Sequence, residues 1–323
     1  MYTGQKFSLT FGDPSKSDFE KGLIPIDHVY DLLAKSLENN NVKLWIIIDR
    51  LDVAFVESEE LEANALRALF KAYLDLAQYD QIIVKIFLRD DIWEKITESG
   101  FREASHITKF LNLSWTKESL LNLIIRRILD NESIIDSYKI DIESVIADAQ
   151  EQEELFYKLF PAQVDLGEKK PSTLDWALSR TKDGKGINTP RELIQLFSHA
   201  RTIEIKRLET GINEIVDGQL LSRQALKLAV NEVSKQRLSQ TIYAEFPELK
   251  KYIEDLRGDK ADQNLETLAS KWGLDQKETL KIAKELEKIG FFEQKGNREA
   301  PRFIIPFMYR PYLEVIQGVA STN

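Results

Sequence analysis

Two short apolar runs, each closed by a charged residue, constrain this chain more than any other feature. Lys43-Leu44-Trp45-Ile46-Ile47-Ile48-Asp49 and Gln81-Ile82-Ile83-Val84-Lys85-Ile86-Phe87-Leu88-Arg89 are β-branched and too short for buried helices. Such runs read as buried parallel strands, with the charge marking where the chain leaves the sheet. Between them Leu66, Leu69, Phe70, Tyr73 and Leu74 recur at helical spacing, and Ser58-Glu59-Glu60 supplies a helix start. Strand, helix, strand predicts a right-handed crossover in an α/β sheet. A helix over about 26–39 and a third strand over Phe110-Leu111-Asn112-Leu113-Ser114-Trp115 extend the alternation.

After Thr116 strand signals nearly vanish until about Glu245. Leu120, Leu121, Ile124, Ile125 and Ile128 form one helical stripe, and turns such as Lys182-Asp183-Gly184-Lys185-Gly186 separate further helices. This region reads as a helical lid or bundle whose Tyr157, Trp176 and Phe197 pack inward. The tail changes again, with helices around Pro247–Leu256, Leu265–Lys271 and Gln276–Ile289, then Gly290-Phe291-Phe292-Glu293 and Arg302-Phe303-Ile304-Ile305 flanking a polar turn. Three helices and a β-wing are a winged-helix signature. The expected architecture is a partial α/β core over 1–116, an α-helical lid over 117–245 and a winged-helix domain over 246–323, mostly α overall.

Composition narrows the chemistry. The 323 residues carry no cysteine, three histidines and a net charge of −9, which removes thiol catalysis, disulfides and Cys/His zinc sites and leaves no global field for nucleic acid. His28, His106 and His199 have no arguable partners in sequence. The longest purely apolar run, Leu44–Ile48, is far below the roughly 20 residues of a membrane span, and the first residues lack a signal-peptide core. A soluble cytoplasmic protein with no membrane partner is expected.

Ile48-Asp49-Arg50-Leu51-Asp52 is the sharpest motif. A carboxylate at the C-terminal tip of a buried strand sits where open α/β sheets bind ligands. Such an acid can hold the magnesium of a bound nucleotide, or it can simply cap the strand. Arg89, closing the next strand, can sense a γ-phosphate or pair with Asp49, Asp90 or Asp91. In Gly186-Ile187-Asn188-Thr189-Pro190-Arg191-Glu192-Leu193, Thr189 reads as the N-cap and Pro190 as the first helical residue, which puts Arg191 in the first turn. A cation is disfavoured there by about 0.3–1 kcal/mol, a weak hint that Arg191 serves something other than the helix. Lys277, Lys281, Lys284 and Lys288 fall on one stripe of the third tail helix, and Lys271 to Arg310 holds nine basic residues against six acidic. That stripe can grip the phosphates of DNA or RNA, or serve as a solvated or protein-docking face.

Taken in order, "IIIDRLD", "KIFLRDD", a helical lid, "INTPREL" and a winged helix resemble the STAND/AAA+ branch of P-loop ATPases over roughly residues 7–315. More narrowly, they resemble its bacterial members in signalling, DNA repair and phage defence. The resemblance implies ATP and magnesium (Mg) as cofactors, Asp49 as the Walker B acid, Asp52 as a second acid, Arg89 as sensor 1 and Arg191 as sensor 2. It also implies that Trp115 ends the last core strand and that the protein assembles as a homo-oligomer. Two departures qualify it. No Gly-x-x-x-x-Gly-Lys-Ser/Thr segment occurs, the nearest look-alike being Gly12-Asp13-Pro14-Ser15-Lys16-Ser17 after residues 7–11, and Arg50 stands where the water-activating glutamate is usual. The expectation is a C-terminal portion of a longer ATPase, inactive alone, whose partner is the missing N-terminal P-loop segment or effector domain. The alternative is a non-enzymatic nucleic-acid or protein adaptor working through the winged helix.

Overall fold

The computed structural model describes residues 25–51, 59–98, 100–216, 218–297 and 300–321, and the chain divides into two compact units after Asn112. In the first unit α1 (Ile26–Asn39), β1 (Leu44–Ile48), α2 (Glu59–Leu76), β2 (Ile82–Ile86) and α3 (Asp90–Glu98) follow one another, and a 3-10 turn spans Arg102–His106. β1 and β2 pair in parallel, from Leu44 opposite Ile82 to Ile48 opposite Ile86, as expected of a strand–helix–strand unit. The predicted stripe of α2 buries Leu66 and Phe70 against Ile96 of α3 and Phe101, with Trp93 edge-on to Phe70 at 5.2 Å.

Two expectations for this unit need correcting. β1 is not covered on both faces: Leu44, Ile46 and Ile48 are half-buried, whereas Trp45 is 58% and Ile47 65% exposed. The small core of the described helices lies against one face only. Residues 110–115 form no strand, and Phe110 and Leu111 are more than four-fifths exposed. A strand persists only where its backbone groups find a partner, and among the described residues β1 and β2 pair only with each other. Trp115 therefore ends no core strand.

The second unit is mostly helical. Its first part comprises α4 (Lys117–Leu129), α5 (Glu132–Tyr138), α6 (Ile142–Ala147), α7 (Ala149–Leu159), α8 (Thr173–Arg180), α9 (Pro190–Glu209) and α10 (Arg223–Arg237). Side chains fix several of these starts: Thr116 and Ser119 close a capping box on α4, and Asp141, Asp148, Ser172 and Ser222 accept from first-turn amides. The stripe Leu120, Leu121, Ile124 and Ile125 packs with Phe156, Leu174, Trp176, Leu193 and Leu196 into one core, with Tyr157 and Phe197 at its margin.

α10 continues through a π-type turn (Leu238–Ile242) and a short helix, α11 (Tyr243–Glu245), into the tail. There, a 3-10 turn (Pro247–Leu249) and α12 (Lys250–Glu254) lead to β3 (Lys260–Asn264), α13 (Leu265–Trp272), α14 (Gln276–Lys288), β4 (Glu293–Gly296), β5 (Pro301–Ile304) and β6 (Ile316–Val319). The sheet order is β4-β5-β3-β6, antiparallel except for β3 with β6. A second core holds Phe291, Phe292, Phe303 and Tyr309 with Leu268 and Leu286. β3 escapes sequence reading because Lys-Ala-Asp-Gln-Asn has no apolar alternation; pairing on both edges makes it a strand, with Ala261 and Gln263 turned inward. Among the described residues no helix is long and apolar enough to cross a membrane.

Candidate functional site

Asp49 and Arg89 leave the same, C-terminal, end of the parallel pair. The last ladder bond runs from Phe87 N–H to the Ile48 carbonyl at 2.9 Å; Asp49 follows at once, and Arg89 stands two residues beyond Phe87. Both are exposed, and the Arg89 carbonyl accepts from Trp93 N–H at 3.1 Å as α3 begins. Asp49 Oδ1 accepts its neighbour's Arg50 N–H at 2.8 Å, and Arg50 sits in the left-handed region at φ 59°. Single left-handed residues other than glycine store strain and concentrate at ligand sites. Among the described residues the second Asp49 oxygen has no partner, so this tip offers one carboxylate oxygen to a ligand. That suffices for a magnesium ion that keeps most of its waters and takes phosphate oxygens, since such sites use one or two carboxylates. Among the described residues no group of three or more acidic or histidine side chains forms a metal cage. Asp52 lies outside the described residues.

At the start of α9 the structure agrees with the sequence on backbone and redirects attention among the side chains. Thr189 is the N-cap, although its hydroxyl makes no capping bond; Pro190 opens the helix and Arg191 in the first turn is exposed. The residue that turns inward is Glu192, 2% exposed, whose Oε1 pairs with Arg237 Nη1 of α10 at 3.0 Å. A carboxylate in the first turn of one helix and a cation in the last turn of another each suit the helix dipole. The signal for Glu192 was present: Glu192, Leu196, Ala200 and Glu204 fall every fourth residue and all are buried. Glu204, at the far end of that line, accepts the Ser222 N–H at 2.6 Å.

This pair belongs to a polar seam between the helical part of the second unit and its tail. Tyr309, wholly buried, places its hydroxyl beside the Arg237 guanidinium, and burial pushes its pKa above the ordinary range. Asp183 Oδ1 accepts from Lys185 N–H at 3.0 Å and Ile187 N–H at 2.9 Å; burial raises its carboxyl while those bonds and the Arg237 charge oppose the rise. Next to it Gly184 N–H donates to the Gly290 carbonyl at 2.7 Å, and a Cβ at 184 would stand 2.2 Å from the Phe292 carbonyl oxygen, so only glycine fits. Tyr312 N–H donates to Ser234 Oγ of α10 at 3.2 Å. Thr189 Oγ1, Glu192 Oε2, Arg237 Nε and Tyr309 Oη are buried without a hydrogen-bonding partner from the protein. Each such atom costs on the order of 1–3 kcal/mol, so the seam is held at a price in stability.

The four lysines of α14 lie exposed along one side of the helix, with Thr279, Ala283 and Leu286 buried on the other. Lys284 pairs with Glu287 at 2.8 Å and also reaches Gln294, while among the described residues Lys277, Lys281 and Lys288 have no ion pair. Three unpaired cations and one paired one in line can follow a phosphodiester backbone but supply no base-reading fork.

No protein-family model matches this chain, and no curated protein matches it in sequence.

Proposed function

We propose that this chain is part of an ATP-dependent molecular switch of the STAND/AAA+ type, in which nucleotide and magnesium bound at the strand tips bias the position of a winged-helix tail. The observation that carries the reading is the emergence of Asp49 and Arg89 from one end of adjacent parallel strands, beside a strained Arg50. Asp49 would hold magnesium and Arg89 would sense the terminal phosphate, with Arg191 as a second sensor on the helical part. The tail order helix, strand, two helices and a hairpin supports a winged helix, and the Glu192–Arg237 pair beneath Tyr309 supports a tail whose docking is a separate event from folding. The phosphate cradle is not among these 323 residues, and the site works only when one is supplied.

The purified 323-residue protein is expected to show no magnesium-dependent ATP turnover. The product of the source reading frame, carried upstream to include a Gly-x-x-x-x-Gly-Lys-Ser/Thr segment, is expected to turn ATP over and to lose that activity on Asp49→Ala. An upstream frame without such a segment, or turnover indifferent to Asp49→Ala, refutes the reading.

The exposed line of Lys277, Lys281, Lys284 and Lys288 favours a second reading, a non-enzymatic adaptor that grips nucleic-acid backbone. Salt-sensitive DNA binding that collapses when all four become glutamate supports it; equal affinity in that variant removes it.

A further inference from the structure

At the same seam two arginines share one aromatic ring. Arg180, the last residue of α8, sets its guanidinium carbon 4.0 Å from the centre of the Phe307 ring, and Arg310 from the tail does the same at 4.0 Å. Trp176 flanks Arg180 at 5.4 Å. Phe307 is 40% exposed, so solvent reaches the ring that carries both cations. The two charges stand no farther apart than twice the ring distance, and like charges that close repel. Burial lowers the pKa of each, and Arg180 lowers that of Arg310 further, yet arginine stays charged in proteins.

The surrounding protein balances them only in part. Among the described residues Asp165 is the one carboxylate within 4 Å of either guanidinium, approaching Arg180 at 4.0 Å, and it is engaged by Lys227 at 2.7 Å and by the Trp176 indole N–H at 3.0 Å, while Glu293 acts on Arg310 from beyond ion-pair range. Among the described residues Arg310 has no ion pair; its Nε donates to the Ile305 carbonyl at 2.7 Å and its Nη1 to Gln317, and no described residue accepts from Nη2. Arg180 Nη1 donates only to the neighbouring Ser179 Oγ at 3.0 Å. Three cations, Arg180, Arg310 and Lys227, thus meet one ion-paired carboxylate and the more distant Glu293 in a half-buried place, with both guanidinium groups set over the Phe307 ring. Pre-set guanidinium forks of this kind recognise phosphate oxygens. A monocarboxylate has two oxygens for one fork, whereas a phosphoryl group has enough to accept from both.

We infer that Arg180 and Arg310, carried on the Phe307 ring, form a binding site for a phosphoryl group, either in a free phosphate compound or in a nucleic-acid backbone. One fork comes from the helical part and the other from the tail, so an occupant ties the two together and stabilises the docked arrangement by mass action. The site shares no residue with the strand tips or with the α14 lysines.

The whole chain is titrated by calorimetry and thermal unfolding with inorganic pyrophosphate, against sodium chloride of equal ionic strength, and by fluorescence anisotropy with a short single-stranded oligonucleotide. Pyrophosphate or the oligonucleotide is expected to bind and to raise Tm where chloride does not. Arg180→Gln or Arg310→Gln is expected to weaken binding by about tenfold or more, as loss of a charge-assisted bond requires. Arginine-dependent binding of pyrophosphate identifies a small phosphate ligand; arginine-dependent binding of the oligonucleotide alone identifies a nucleic-acid backbone. Arg180→Lys and Arg310→Lys keep charge and stem packing while losing the fork, so weaker binding in them supports the site even if the glutamine variants do not fold. Binding of neither probe, or affinities that the lysine variants leave at the wild-type value, overturns it.

Discussion

Substituting Arg237 by methionine tests the seam directly, because it removes the charge and the donors while keeping most of the stem. The Arg237 side chain is 17% exposed and its partner Glu192 3%, with 3.0 Å between Nη1 and Oε1. At an effective dielectric near 20, two charges about 3 Å apart attract by roughly 5 kcal/mol. Stripping one partner from a buried pair is measured at about 3–5 kcal/mol, because the other charge stays buried without compensation. Arg237→Met is therefore expected to cost about 3–5 kcal/mol. For a domain of this size that lowers Tm by on the order of 10 °C. Glu192→Leu leaves Arg237 buried beside Tyr309 and should cost a similar amount, but Arg237→Met with Glu192→Leu replaces a desolvated pair by apolar contact and should recover most of the loss. Urea denaturation of wild type, both single variants and the double variant measures the coupling, expected at about 2–4 kcal/mol. Single effects that add to within about 0.5 kcal/mol, or an Arg237→Met cost below about 1 kcal/mol, refute the view that the pair is a buried lock.

Four further outcomes follow from named geometry. Burial holds the Asp183 carboxyl above its ordinary 3.8, so its contribution to stability is present below that value and is lost as pH rises; Asp183→Asn, which keeps the Oδ1 acceptor, should gain Tm relative to wild type between pH 4 and 7, and a gain that shrinks over that range contradicts the assignment. Asp165 behaves in the opposite sense, since the Lys227 bond holds it below 3.8: Asp165→Asn should lose Tm at pH 7, and the deficit should fade as the pH falls through the lowered pKa. Gly184→Ala drives a Cβ into the Phe292 carbonyl and should cost at least about 1–3 kcal/mol, with faster hydrogen exchange at Phe291 and Phe292; protection unchanged at those amides would show that the contact does not hold the tail. Arg50→Gly should change stability by less than about 0.5 kcal/mol, because relieved left-handed strain offsets glycine's larger unfolded entropy, whereas β-branched Arg50→Val should cost about 1–2 kcal/mol by thermal melt.

The elements that sequence reveals here are those whose local pattern and final environment agree. β1, β2, α2, α4 and α14 follow from apolar spacing, and the start of α9 from Thr189-Pro190. β3 was hidden because its strand character comes from neighbours on both edges, and its own residues are polar. The strand expected at 110–115 fails for the converse reason: the residues suit a strand, and no partner strand stands beside them among the described residues. At the site, Asp49 and Arg89 were legible because a charge after an apolar run is visible in one dimension. Glu192, Asp183, Arg237 and Tyr309 were not, because their meeting depends on α9, α10 and the tail being brought together across up to 126 positions of chain, and a glutamate beside an arginine in "PREL" draws no attention to itself.

The chemistry of the seam is compatible with the proposal that the tail is a moving part. Each side has its own apolar core, one around Phe156, Leu193 and Leu196 and the other around Phe291, Phe303 and Tyr309. Many of the contacts between them are polar: a backbone bond at Gly184, a hydroxyl bond at Ser234, Tyr309 set beside the helical part's Glu192–Arg237 pair, and cations of both parts on Phe307. Parting an apolar interface exposes surface that water rejects, at about 25 cal/mol per Å². Parting a polar one returns Glu192, Arg237, Asp183 and the two stacked arginines to water, and the solvation regained offsets much of the attraction lost. Opening the seam therefore costs less than unfolding either core. Under the proposed switch, a ligand that adds one negative charge between Arg180 and Arg310, and a substitution that removes one from Glu192, would shift the balance between docked and released tail in opposite directions.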